Sequence, residues 1–462
     1  MSGLSHSIVQ REKLGSAGGT WAFACGLLAL NLALLLLAHR GWLLIAVGLA
    51  LLGPLAFALT RRPQRGIMLL AVLVPFDGLL LLLPSLPPLA AGWKEALLLA
   101  TLVATAVAPP EARAAPSPRP PWAPAVVGLL ALALLSALTV GGLQAVWGLK
   151  VAFFFVLVAV ALWRCPLDGR ERDRLVTALL VVGVITAVYA VAQQAMGHRR
   201  LNALGYEYNT VIRFAGGFLR SFSTFTQPFG LGYFLMLVLL VGAAHALGEP
   251  RRLRSRAFAL AVPVLAMGLA FSFVRGAWVG LAVGLAYLGF TRYRVLLLGI
   301  PLAAVGLLFL PTEVSSAALA PKSGFQRVEA WQEKLSRITA HPLGVGVGAS
   351  SSASEKVTEA RGTGEIFHPD NQYYKAVYEL GVLGLWFLVL LFVAAFGSAH
   401  ARARASPTGG SLFALSTAAM VLAAAAASLV ATYLDIFPMD VYFWLFLAVV
   451  HTTPGRAASA SA

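Results

Sequence analysis

The chain has 462 residues, is 59% hydrophobic and only 12% charged, and has a mean hydropathy of +0.80. This excludes a soluble globular enzyme, whose charged fraction runs near a quarter. A net charge of +16 would point to nucleic acid in a soluble protein; in a chain this apolar it reflects Lys and Arg gathered in cytoplasmic loops, and no nucleic-acid partner is expected. Repeated apolar stretches of roughly 18 to 20 residues match the thickness of a hydrocarbon core and read as helices, whereas barrel strands would alternate over about ten. The first run, 21–38, follows a segment holding Arg11 and Lys13. No small-residue cleavage pattern comes after it, so it reads as a retained helix rather than a signal peptide. Further spans are predicted near 41–60, 66–84, 93–108, 123–140, 150–163, 175–195, 232–248, 257–273, 276–290, 295–311, 373–398, 411–432 and 441–453, which makes 14. The expected fold is an all-α polytopic membrane protein, one integral membrane domain over 1–462, in which membrane lipids are obligatory neighbours. Cys25 and Cys165 have no framework or metal spacing, and no disulfide is expected.

With the N-terminus inside, the cytoplasmic segments are 61–65, 109–122, 164–174, 251–256, 291–294 and 400–404. Twenty of the 35 Lys and Arg then lie inside, mostly in short loops, and both termini face the cytoplasm. The remaining positives concentrate in two long outer loops, 196–231 and 312–372. Within the second, Phe325–Leu335 has apolar residues at helical spacing and reads as an amphipathic helix lying on the outer face.

Chemistry is expected where ionisable residues meet the boundary. Arg213 and Arg220 flank Gly216-Gly217 in the first loop. Arg275 stands between two spans with almost no loop, at a depth that costs about 2.5 to 3.5 kcal/mol and calls for an anionic partner or for snorkelling to the interface. The second loop carries Arg327, then His341-Pro342 with Gly344, Gly346 and Gly348, then His368-Pro369-Asp370-Asn371. The three glycines follow no strand, so they read as a tight turn permitting close approach of chain or ligand. His341 reads as structural. Asp370 or Asn371 can cap the next helix. A metal site from His341, His368 and Asp370 has no recognised ligand spacing, and no metal or cofactor is expected. Lys375 and Glu379 are spaced for an intrahelical ion pair. Asp77, Lys94 and Glu95 are candidates to line an acceptor groove, and Asp435 and Asp440 either bind sugar hydroxyls or keep the last outer loop wet. Taken together, the arginines suit a lipid pyrophosphate, whose oxygens guanidinium groups bind bidentately, with a nearby carboxylate or imidazole as general base.

The order of these motifs resembles the O-antigen ligase and polymerase superfamily of bacterial glycan transferases. The resemblance rests on Arg-Phe-x-Gly-x-Phe at 213–218, Ser-Phe-Val-Arg-Gly at 272–276, Arg-x-x-x-Trp at 327–331, His-Pro-Leu-Gly-Val-Gly at 341–346 and Asn371 at a span start, and it covers roughly residues 200–400. It implies a metal-independent, inverting, multi-span glycosyltransferase of the bacterial inner membrane, with its site at the periplasmic face. The implied donor and acceptor are glycans on undecaprenyl pyrophosphate, and a chain-length regulator protein is an implied partner. Arg213, Arg220, Arg275 and Arg327 would bind pyrophosphate, Asp370 or His368 would be the base, and Asn371 and His341 would support them. Ligases of the family place His-Asn nine residues before Gly-x-x-Gly; here the pair is Asp370-Asn371 before Gly381-Val382-Leu383-Gly384, with Leu385 where Thr is expected. That substitution tilts the expectation toward a polymerase joining repeat units, with a ligase acting on a lipid A core or protein acceptor next, and a flippase or transporter, of a different class, third.

Overall fold

The computed structural model describes residues 58–82, 91–109, 113, 119–208, 211–299, 338, 341–362, 367–405 and 409–452. The expected spans 21–38 and most of 41–60 and 295–311, the amphipathic segment 325–335, and Arg327 lie outside the described residues.

In chain order the helices are α1 (Gln64–Leu73, extended as a 3-10 helix Val74–Leu82), α2 (Trp93–Val107), α3 (Ala123–Val140), α4 (Gly142–Phe153), α5 (Val156–Arg164) and α6 (Gly169–Ala203). A hairpin of β1 (Arg213–Ala215) and β2 (Phe218–Arg220) follows, then α7 (Pro228–Gly248), α8 (Leu253–Phe271), α9 (Arg275–Thr291), α10 (Ser351–Arg361), α11 (Gln372–Ala405), α12 (Gly409–Ala427) and α13 (Met439–Thr452). Among the described residues seven helices are long and apolar enough to cross a membrane, or eight if the pair α4–α5, bent by 53°, is one span. Of the 14 expected spans, those at 93–108, 276–290 and 441–453 are helices of 15, 17 and 14 residues, the first and last shorter than the roughly 17–25 residues a crossing takes.

Local sequence sets the helix starts. Asp168 and Glu171 form a reciprocal capping box on α6, at 2.7 and 3.0 Å, and Pro228 opens α7, where its missing N–H costs nothing. Two helices form the centre: the membrane-crossing window of α7 is 89% buried, and every residue of α13 is buried. A helix apolar all round belongs in such a position. At the periphery the pattern inverts, with Leu138 on α3, Leu260 on α8 and Trp386 on α11 exposed, as a lipid-facing surface requires. Close packing of the core uses small residues, since lipid tails supply no hydrophobic drive between helices. Gly276, Gly280 and Gly284 on α9 lie against Tyr233, Met236 and Leu240 of α7, and a methyl at Gly280 would sit 2.5 Å from the Met236 sulfur.

The bundle has two chemically different ends. At one, Arg62 meets Glu171 (3.8 Å), Arg252 and Arg254 meet Asp173 (2.8 and 3.3 Å), and Arg402 donates to the Val450 carbonyl (2.9 Å). Trp122 packs on Trp444 there. Three of the basic segments assigned to one side by charge, 61–65, 164–174 and 251–256, are thus in contact with one another. The other end holds the hairpin, the α8–α9 corner, α10 and the start of α11. The hairpin rests on a second, small apolar cluster of Leu201, Tyr206, Val211, Ile212, Leu219 and Phe222.

Helix α11 is broken at Gly381 (φ 69°, ψ −170°). The carbonyls orphaned by the break are taken by the glycine loop: Val345 N–H donates to Tyr378 O (2.8 Å) and Gly346 N–H to Glu379 O (3.0 Å). The glycines at 344–348 thus serve approach of chain to chain. Gly381→Ala would place a methyl 2.6 Å from the Pro342 carbonyl in a left-handed conformation. It is expected to destabilise by at least about 1–2 kcal/mol, read as a lowered melting temperature in detergent. Gly397→Ala on the same helix, where nothing lies near, is the control expected to be neutral or slightly stabilising.

Candidate functional site

The hairpin register pairs Arg213 with Arg220. Gly216 and Gly217, at φ 55° and 86°, make the two-residue turn that this register needs. Paired residues project on one face with their Cβ atoms about 5 Å apart, and like charges so placed oppose each other, so the arrangement favours an anion between or beside them. The Arg220 Nε donates to the Ser272 carbonyl (3.2 Å) and its guanidinium lies over the Phe229 ring at 4.9 Å. Ser221 N–H donates to Phe271 O (2.8 Å). The hairpin is therefore stitched to the corner preceding Arg275, the half-buried first residue of α9. A helix N-terminus favours anions and disfavours a cation of its own, which makes Arg275 there intelligible as part of an anion site. Arg213, Arg220 and Arg275 all have protein partners as well.

The segment after the hairpin is clamped to α6 by a residue with no part in the sequence-based expectations. The Gln193 side chain, fully buried, accepts from Phe222 N–H (3.1 Å) and Ser223 N–H (2.8 Å) and donates to Ser223 O (3.1 Å). A paired Gln193-Gln194 inside an apolar span was a readable signal, since such polar groups seek partners in the bundle interior.

On the facing side, His368 Nε2 lies 3.2 Å from Glu355 on α10. The hydrogen bond from His368 holds the Glu355 carboxyl below its ordinary range, with the nearby Arg213 charge adding to the effect. Arg213 and the His368–Glu355 pair thus share one neighbourhood. Asp370, two residues on, is exposed at φ 50°. Capping of α11 falls to Asn371, whose Oδ1 accepts from Tyr373 N–H (2.8 Å) and Tyr374 N–H (3.1 Å) while its Nδ2 donates to Leu429 O (2.9 Å). His341 is exposed at the turn entering the glycine loop. The non-glycine residues with left-handed backbones among those described are Ser223, Phe273, Ser351 and Asp370, all at this end. Such strain concentrates at functional sites.

Beneath these groups lies a buried ionic cluster. Lys375 pairs with Asp435 and, at 4.0 Å, with Glu379, all three side chains at most 6% exposed. Glu379 in turn accepts from the Ser350 N–H (3.0 Å) and hydroxyl (2.7 Å) at the head of α10. The expected Lys375–Glu379 pair is real, but the nearer partner comes from 60 residues away. Asp435 and Asp440 are buried rather than wetting a loop, because the chain between α12 and α13 folds inward against α11. Asp77 is taken up by Trp93 Nε1 (2.8 Å) and Lys94 (3.0 Å), and Glu95 by Lys150 (2.9 Å). These charges tie α1, α2 and α4 together. Among the described residues no three His, Cys, Asp or Glu side chains converge as metal ligands do.

Residues 259–389 match the family model described as O-Antigen ligase, so this part of the chain is similar to that family. The matched stretch runs from α8 to the middle of α11 and includes Arg275, Glu355, His368, Asp370 and Lys375; the hairpin precedes it. No curated protein matches the sequence.

Two stability tests separate the roles at this end. Lys375→Met strands two buried carboxylates and is expected to destabilise by about 3–5 kcal/mol. Asn371→Ala should cost about 1 kcal/mol through the lost cap, whereas Asp370→Asn should leave the melting temperature in detergent unchanged.

Proposed function

We propose that this chain, which matches the O-Antigen ligase family model over residues 259–389, transfers a glycan from undecaprenyl pyrophosphate to the terminal sugar hydroxyl of a second lipid-linked repeat unit. The observation that carries this reading is the hairpin pair Arg213 and Arg220, tied through Ser272 to the Arg275 corner, with Arg213 near enough to Glu355 for its charge to act on that carboxyl. Guanidinium groups at a low-dielectric boundary stabilise a leaving diphosphate without a metal. A hydroxyl attacks the anomeric carbon from the face opposite the departing oxygen, which inverts the configuration. The segment His368–Asp370 supplies the base that takes the hydroxyl proton. Arg327 is assigned to the same pyrophosphate site by its motif alone. The positive-inside rule puts the basic end in the cytoplasm and this site at the periplasmic face of the inner membrane.

A second reading, transfer to a lipid A core, is favoured by the description of the matching family as a ligase. Asp370 in the position before Asn371 favours the polymerase. The two share one chemistry and differ in acceptor. Purified protein in detergent, given a synthetic lipid-linked repeat without nucleotide or metal, is expected to yield a product ladder. A single addition to supplied lipid A would establish the ligase instead, and absence of any product would overturn the transferase reading in favour of transport.

Each charge-assisted contact contributes about 1.5–3 kcal/mol. Arg275→Ala and Arg220→Ala are therefore each expected to lower kcat/KM in that assay by about 10- to 150-fold. The Lys variants should recover only part, because an ammonium offers no planar fork.

A further inference from the structure

We propose that Glu355 is a positioning residue: its carboxylate grips His368 through Nε2 and so presents Nδ1 to the attacking sugar hydroxyl, which makes His368 rather than Asp370 the base. The inference rests on the transferase reading above and assigns the part of the site that reading leaves shared between two residues.

The geometry starts from the backbone. Ser350 at the head of α10 is fixed by the buried Glu379, and the next residue, Ser351, donates its N–H to the Phe367 carbonyl at 2.8 Å. That bond locks the start of α10 to the residue preceding His368. Glu355 stands one turn further along α10 and reaches His368 at 3.2 Å. The Phe367 ring packs on Tyr378 of α11 at 4.5 Å, so the segment bearing the imidazole is held from a second direction. The pair is therefore oriented by a rigid frame although its own side chains are 47% and 49% exposed.

Exposure argues against a structural purpose, because ion pairs in contact with water contribute little to stability. It suits a base that must meet an incoming substrate. Arg213 contributes to keeping the Glu355 carboxylate ionised, which keeps it an acceptor for the imidazole N–H. With Nε2 carrying its proton toward Glu355, the lone pair belongs to Nδ1. The same logic of a carboxylate fixing tautomer and orientation operates in hydrolytic triads. In the transfer step the hydroxyl proton passes to Nδ1, the hydroxyl oxygen bonds to the anomeric carbon, and the bond from that carbon to the phosphate oxygen breaks. The electron pair leaves with the pyrophosphate toward the arginines, and the imidazolium formed is balanced by Glu355. Of the two side-chain types, imidazole and carboxylate, the imidazole is the better proton acceptor.

The test is steady-state kinetics of purified full-length variants on a synthetic lipid-linked repeat, with melting temperatures alongside. Glu355→Gln should lower kcat by at least about tenfold with donor KM and melting temperature unchanged. Glu355→Asp should recover part of the loss. His368→Gln should lose more, and the double variant Glu355→Gln/His368→Gln should be no slower than His368→Gln alone, since a positioning residue has nothing left to position. The proposal is overturned if Glu355→Gln retains the kcat of the unmodified protein, if His368→Gln does, or if the two losses multiply in the double variant. If Glu355→Gln fails to fold, the exposed pair is structural and the proposal also falls. Absence of product from the unmodified protein refutes the transferase reading itself, an outcome distinct from all of these.

Discussion

The ammonium of Lys375 is held between carboxylates of Asp435 and Glu379 in the interior of one end of the bundle, and the placement of His368 and Asp370 there follows from it. Desolvating these charges is costly, so the arrangement persists only because each is paired and Glu379 is further satisfied by Ser350. The pairing joins three pieces of chain: the first turns of α11, the turn before α13 and the head of α10. From the head of α10 the constraint passes by one backbone bond to residue 367, and so to His368 and Asp370. A half-exposed functional pair is in this way positioned by a fully buried one.

The cationic half of the site is built by different means. A tight glycine turn sets two arginines in register, and bonds to the backbone of residues 271 and 272 hold the hairpin to the corner of α8 and α9. Gln193 supplies the remaining constraint from α6. Positive charge is thus assembled from loop geometry and negative charge from helix packing, and the two meet where Arg213 influences Glu355.

The sequence makes the membrane class and several elements readable because apolar length is a local property. The run 123–140 emerges as α3 with the same bounds. The run 175–195 emerges within α6, Gly169–Ala203, extended at its start by the polar turn that Asp168 caps; apolarity marks only the part of a helix that lipid surrounds. Hidden from a local reading are features that depend on distant partners. Asp435 looks like a loop residue until α11 brings Lys375 beside it. Glu355 sits in a polar helix with no motif to distinguish it, and only the fold reveals His368 opposite. Conversely, the capping choice between Asp370 and Asn371 was open in the sequence and is decided by backbone geometry: the left-handed conformation at Asp370 delivers the chain into the helix with Asn371 at its head.

The interruption of α11 divides the helix unequally. The part after the break, Val382–Ala405, is 24 residues long by those bounds, rises about 36 Å at 1.5 Å per residue, and is long enough to bridge a hydrocarbon layer of about 30 Å alone. The nine residues before it, Gln372–Leu380, add a stub of about 13 Å that bilayer thickness does not require. Lys375 and Glu379 both lie on this stub. An ionic assembly can therefore sit at headgroup depth, where a lipid-borne sugar is carried by its own anchor, while the crossing segment beneath carries no Lys, Arg, Asp or Glu until Arg402 and Arg404 in its last turn.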